Sequence, residues 1–288
     1  MGPNADGPSM YEHSRKYWNE EAPEVALEEE HFFKGPVGDY RVRFFYPQKE
    51  KKKLPCIVFI HGGGFTVGSI ESHEGIVKRL VNETGAMVAS IDYHLAPKYK
   101  YPVQLKECIA LIKELHAGAG DYGIDQNRIS VGGDSAGAHL SLAVALKLRD
   151  EQETIQLQSM LLYYGSYGLE DSRSMRLYGG DFDGMKLEDL KYYIAAYVNE
   201  EDKEDPYRNL LNSKLTYGLP PAYIMACDLD PLYDDSLLLK EIFEEHGIEH
   251  VFETYHGVIH GFLHYSRRLD EAFQAIRSSA DFHKGLQG

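Results

Sequence analysis

The stretch Gly132-Gly-Asp-Ser-Ala-Gly137 lies between an apolar run, residues 129–131, and a long apolar-periodic segment, residues 138–148. It reads as strand, sharp turn and helix. A serine on such a turn, with glycine two residues before it and two after, has the sequence form of a nucleophile elbow. The turn asks its central residue for a strained backbone conformation, and Gly133 and Gly137 leave room for strand and helix to approach closely. Alone, the five-residue pattern is weak, because ordinary βα turns match it by chance. The rest of the chain has to decide.

With 288 residues, the chain is long enough for one large α/β domain or two smaller ones, burying roughly 75% of its unfolded surface. Its 30 basic and 45 acidic residues give a net charge of −15. Such a charge repels phosphate backbones and anionic membrane surfaces, so neither nucleic acid nor membrane is an expected partner. Cys56, Cys108 and Cys227 fall in apolar or helical stretches with no close pairing. They read as small core residues in a reducing compartment. Residues 1–10 carry neither a basic n-region nor an apolar h-region, and no apolar run approaches the roughly 20 residues of a membrane span. The expectation is a soluble, cytoplasmic protein that needs no disulfide or metal staple.

Read from the N-terminus, residues 11–27 suggest a short helical approach after a poorly ordered start at residues 1–10. Residues 40–46 partly alternate and end at Pro47, suggesting an outer strand, and Lys51-Lys-Lys53 reads as a solvated turn. Residues 56–60 are continuously apolar, as a parallel strand covered on both faces should be, and run directly into His61-Gly-Gly-Gly-Phe65. Ile76, Val77, Leu80 and Val81 mark a helix ending at Gly85, before a strand at residues 87–91. A second amphipathic helix follows at Leu105, Cys108, Ile109, Ile112 and Leu115, and residues 128–131 lead into the serine turn. Further strands are expected at 160–163, 222–226 and 251–255, and helices at 237–245 and 271–282. Repeated βα units of this kind predict a mostly parallel, twisted sheet with helices on both faces. Residues 166–219 break the rhythm: the segment is too long for a connection and has its own helical pattern in Leu187, Leu190, Tyr193, Ile194 and Tyr197. It reads as an inserted cap. Residues 1–30 would contribute to it, leaving 31–288 as the catalytic domain, and the acidic run at 200–205 reads as a solvated loop.

Acyl transfer by serine needs a base, an acid to orient the base, and donors for a developing oxyanion. His61-Gly62-Gly63-Gly64 follows a buried strand, and successive glycines let backbone N–H groups turn toward an anion unobstructed. Gly63 and Gly64 are the expected donors, with His61 and Gly62 shaping the loop, and the Ala136 amide after the serine should add another. Where base follows acid and acid follows serine in the chain, the base must lie near the C-terminus. His256, His260 and His264 qualify by position; His260, in a loop directly after the last expected strand, is preferred, and the other two read as loop or surface residues. His139, one helical turn beyond Ser135, should point away and pack. Asp228, Asp230, Asp234 and Asp235 all follow the strand at 222–226, and spacing does not choose among them. Asp230 precedes a proline that favours extended backbone, while Asp234 and Asp235 precede the next helix and read as caps.

With these residues in view, the chain resembles the hormone-sensitive-lipase family of α/β-hydrolases, and within it the bacterial acetyl esterases, from about residue 17 to the C-terminus. The anchors are His61-Gly-Gly-Gly-Phe65, Asp92-Tyr-His-Leu-Ala-Pro97, Gly133-Asp-Ser-Ala-Gly137, Leu219-Pro-Pro221, Asp230-Pro-Leu232 and His260-Gly-Phe262. Tyr164-Gly-Ser-Tyr-Gly168, Gly179-Gly-Asp-Phe-Asp-Gly184 and Phe262-Leu-His-Tyr-Ser266 extend the likeness to the acetyl esterases. The resemblance implies an α/β-hydrolase fold with a small helical cap. It places the nucleophile on Ser135, the acid on Asp230 and the base on His260, with no cofactor or metal and a small-molecule acyl ester as substrate. Acetyl and short-chain preference is an implication of the same likeness. An amide hydrolase of arylformamidase type and a non-catalytic receptor on this fold are the alternatives; such receptors usually lack the base, which is present here. Two departures stand out. The N-terminal helical segment is shorter than in many members, which implies a pocket more open or completed by a second subunit in a homodimer, and His94 stands where the family usually has arginine.

Overall fold

The computed structural model of the protein describes residues 6–286 except 182. Its eight strands form one sheet in the order β1-β2-β4-β3-β5-β6-β7-β8, where β1 is Leu27–Lys34, β2 Asp39–Tyr46, β3 Leu54–Ile60, β4 Met87–Asp92, β5 Ile124–Asp134, β6 Met160–Tyr163, β7 Ala222–Leu229 and β8 His250–Ile259. The β1–β2 and β2–β4 pairs are antiparallel, and every pair from β4 across to β8 is parallel. Alternate residues of β3 divide between two cores. Cys56, Val58 and Ile60 join one with Leu105 and Leu140, whereas Ile57 and Phe59 join another with Ile76 and Ile276. The first core therefore underlies α3 (Val103–Ala117), α5 (Ala136–Asp150) and α8 (Tyr233–Glu245), and the second lies beneath α2 (Ile70–Thr84) and α9 (Asp270–Gly285). At the centre of the sheet β3 is apolar throughout because both its faces are covered. The result is the expected helix-sheet-helix layering, in the α/β-hydrolase arrangement.

Several expectations need correcting. The N-terminal helix, α1, runs Gly7–Asn19: it begins earlier because Asp6 caps it, accepting from the Ser9 amide at 2.9 Å, with Pro8 in the first turn. Residues 1–5 lie outside the described residues, so of the expected poorly ordered start only 6–10 can be compared, and 7–10 are helical. Leu27 belongs to a strand, and β1, which crosses the boundary set at residue 30, makes β2 the second strand rather than the outer one. Its inner face offers only Leu27, Phe33 and a histidine on alternate positions among acidic residues, too faint a period to stand out. Strand β5 reaches back to Ile124 and forward to Asp134, and β8 continues to Ile259. Gly85 does cap α2, at φ 69°. Within residues 166–219 lie α6 (Arg173–Tyr178), α7 (Leu187–Tyr197) and two single 3₁₀ turns, one of which is the acidic Glu200–Asp202. Phe182 of the stretch Gly179–Gly184 is outside the described residues. His94, in place of an arginine, meets Glu107 through its ring at 2.6 Å and its amide at 2.9 Å. All three cysteines are buried and unpaired. Among the described residues, no helix is long and apolar enough to cross a membrane.

Candidate active site

Strand β5 ends at Asp134 and α5 starts at Ala136, so Ser135 alone makes the turn, at φ 54° and ψ −116°. That conformation is strained for a residue with a Cβ. It is held by the Ser135 amide donating to the Tyr163 carbonyl at 2.9 Å, and by the His139 amide donating to the Ser135 carbonyl at 3.1 Å. The flanking glycines are required sterically: a Cβ at Gly133 would lie 2.0 Å from the Ile60 carbonyl oxygen, and one at Gly137 would lie 1.8 Å from the same atom. Ser135 is thus lifted above the strand tips at the N-terminus of a helix, where the dipole favours negative charge. Such crevices beyond the carboxyl ends of parallel strands are where open α/β sheets bind ligands.

The C-terminal loop brings His260 to this serine. Its Nε2 lies 2.9 Å from Ser135 Oγ and its Nδ1 lies 2.7 Å from Asp230 Oδ2. Asp230 is wholly buried, whereas the His260 side chain retains 12% of its exposure. With the carboxylate accepting at Nδ1, that nitrogen carries the proton and Nε2 is left to accept from the serine hydroxyl. The four candidate carboxylates separate into four distinct contacts. Asp228 accepts from the Gly257 amide and meets exposed His256 at 3.1 Å. Asp234 accepts from the Ser174 amide at 2.8 Å, and Asp235 accepts from the amides of Tyr167, Gly168 and Leu169. The capping expectation for the last two is therefore wrong in its target. Helix α8 has Leu232 at its N-cap without a side-chain bond, and both carboxylates turn outward to fasten residues 167–174 of the insertion.

The glycine loop is latched from below. Gly62 donates to Asp134 Oδ1 at 2.9 Å, and the buried His61 ring lies 2.8 Å from the Gly62 carbonyl and stacks on Tyr93 with centroids 4.2 Å apart. Burial holds the His61 pKa down to about 3, so the ring is neutral and can donate through Nδ1. Gly63 and Gly64 adopt φ of 113° and 58°. Among the described residues, the amides of Gly63, Gly64 and Ala136 have no hydrogen-bond acceptor, as donors reserved for an anion should not. Burial would push Asp134 up, but attraction to His73 and His264 and the Gly62 hydrogen bond outweigh it, and its carboxyl sits well below the usual carboxylate range. His73 Nε2 is 3.2 Å from Asp134 Oδ1. Sequence reasoning missed this support. The available signal is that His73 continues the apolar face of α2, at helical spacing from Ile76, Val77 and Leu80.

His264 completes this buried group and is not the surface residue expected: it is 3% exposed, and the Tyr11 hydroxyl of α1 lies 3.2 Å from its Nε2. The ligand atoms of His73, Asp134 and His264 all lie within 4.8 Å of one another, the one group among the described residues so disposed toward a metal ion. Asp134 already serves the Gly62 amide, which suits a latch. His139 packs as expected, its Nδ1 at 2.7 Å from the Ser166 carbonyl. Tyr164, at φ 39°, forms a T-shaped ring pair with His260, with centroids 5.0 Å apart.

Helix α7 packs on the glycine loop. Gly64 lies against the Tyr193 ring so closely that a Cβ there would be 2.3 Å from Cγ. One cavity of about 620 Å³ lies between α6, α7 and the acidic turn, and another of about 650 Å³ between residues 6–8, Thr66, Val67 and Tyr192–Tyr193. Neither is lined by Ser135 or His260.

The family of alpha/beta hydrolase fold matches residues 57–264, and the chain belongs to that family. An esterase from Pyrobaculum calidifontis is similar over 100% of this chain and 95% of its own, at 29% identity and a TM-score of 0.93. An ester-hydrolase from the metagenome of Lake Arreo, solved with a bipyridine phosphonate derivative, is 30% identical over 98% of this chain and 90% of its own, with a TM-score of 0.92. A thermostable carboxylesterase cloned from a metagenomic library is 28% identical over 98% and 96%, again with a TM-score of 0.92.

Proposed function

We propose that this protein is a serine carboxylesterase acting on acetyl and other short-chain acyl esters. The observation that carries the reading is the unbroken chain Asp230, His260, Ser135 at 2.7 and 2.9 Å, next to backbone amides with no partner of their own. In this mechanism Ser135 Oγ attacks the ester carbonyl carbon while His260 Nε2 takes the hydroxyl proton. Asp230 holds the imidazole tautomer and faces the imidazolium that forms. The amides of Gly63, Gly64 and Ala136 receive the oxyanion, which the α5 N-terminus also favours. His260 then protonates the departing alcohol, and water activated by the same ring releases the acid. The three esterases to which the chain is similar support this activity. The acyl preference rests on the likeness to acetyl esterases and on the close seating of Tyr193 over Gly64. Three buried, unpaired cysteines support a cytoplasmic, reducing location.

Ser135→Ala is expected to lower kcat/KM for a short-chain aryl ester by about 10⁴ or more. Near wild-type turnover in that variant would refute the assignment. Across a series of acyl lengths, kcat/KM should decline beyond hexanoyl; a flat profile would remove the short-chain preference and leave the nucleophile untouched.

A further inference from the structure

We infer that the cavity beneath the cap binds a carboxylate carried on an aliphatic body, with Arg208 as the residue that recognises it. One wall of the 620 Å³ cavity is apolar, built from Leu169, Met175, Leu187, Leu190, Ile194 and Val198. Its size lies within the range of small-molecule sites, which pair an apolar lining with a few placed polar groups. Arg208 is the one buried residue among the charged groups that line it. It is only 9% exposed, and among the described residues its guanidinium has one charged neighbour and no hydrogen bond. Its closest carboxylate oxygen, on Glu170, is 3.7 Å away on a side chain that is itself 76% exposed. An exposed partner at that distance contributes little, so the guanidinium is free to pair with a carboxylate that enters the cavity.

Arg208 also lines a smaller adjoining pocket with Phe65, His139 and Tyr197, and the two spaces share Leu169, Ile194 and Val198. The remaining charges on the larger wall are Lys100, Lys191 and Lys203 against Glu170, Glu200 and Glu201, so with Arg208 the site has a positive excess in a chain whose net charge is −15. The planar fork of a guanidinium matches a carboxylate in two parallel hydrogen bonds, which selects a carboxylate over an alcohol or an amine. The site is separate from Ser135 and does not depend on ester hydrolysis.

Isothermal titration of the whole protein with octanoate, octanol and octylamine tests this. Octanoate is expected to bind one per chain, with octanol at least about tenfold weaker and octylamine without measurable binding. Arg208→Met should weaken octanoate about tenfold or more and leave octanol unchanged. Leu190→Trp, which fills the apolar wall and keeps the guanidinium, should abolish binding of both, so a folding defect in either variant alone does not decide the matter. No octanoate binding to the wild type, octanoate and octanol binding alike, or octanoate binding unaltered in Arg208→Met would overturn the proposal. Circular dichroism and urea unfolding serve as the check that both variants fold.

Discussion

The Ser135 turn and the insertion at residues 166–219 are held in place by different means. On the sheet side, backbone packs on backbone: Gly133 and Gly137 approach the Ile60 carbonyl so closely that neither tolerates a methyl group. On the cap side, residues 167–174 are fastened by two carboxylates, Asp234 and Asp235, reaching out from α8. The position of Ser135 is thus set by backbone sterics and backbone hydrogen bonds, which do not titrate. The cover is set by hydrogen bonds whose strength depends on charge state. A reacting atom must be placed within fractions of an ångström, while a cover must admit substrate and release product.

The sharpest way to break the sheet side is Gly137→Ala. Its Cβ would meet the Ile60 oxygen at 1.8 Å, and because backbone cannot step aside as a side chain can, the cost should exceed the about 3 kcal/mol of ordinary overpacking. Urea unfolding should show a large loss of stability and ester hydrolysis should disappear; a stable, active variant would mean that the elbow is not constrained as described. Next in size is Asp134→Ala, which removes the acceptor of the Gly62 amide. With the glycine loop unlatched, kcat should fall about 10² to 10³-fold with much less change in KM, as loss of an oxyanion donor does. An unchanged kcat would separate the latch from catalysis.

The smallest effect is expected on the cap side. Burial pushes the Asp235 pKa up to about 7, against the three amides that pull it down, from an ordinary value of 3.8. The folded chain therefore keeps a proton that the unfolded chain releases. Stability from this group is full below pH 4 and is lost as pH rises through about 7. Asp235→Asn holds the neutral shape, so its Tm should fall less than that of the wild type between pH 5 and pH 8. Parallel Tm curves would show that Asp235 does not titrate in that window.

Much of the site was legible in the chain because its chemistry is local. The glycine spacing about Ser135 and the three glycines after β3 each announce a turn that glycine makes readily, and His260 is marked by its place after the last strand. Distance in sequence hides the rest. Asp134 meets Gly62 and His73 from two other elements, and nothing beside it in the chain marks it as their partner. Asp234 and Asp235 are placed as helix caps would be, yet they serve a segment some sixty residues earlier. Charge at a helix start is compatible with either use, and only the packing of the insertion against α8 selects one.

The alternation of strands and helices from residue 40 onward and the serine turn with its flanking glycines followed from the sequence itself, since apolar runs and glycine positions restrict the backbone locally; the choice of Asp230 came from the family resemblance. Which carboxylate holds which amide, how α7 lies over the glycine loop, and where Arg208 is buried were decided by the tertiary structure. Those contacts join segments far apart in the chain, and a side chain of given chemistry acquires its partner only when folding brings that partner within hydrogen-bond reach.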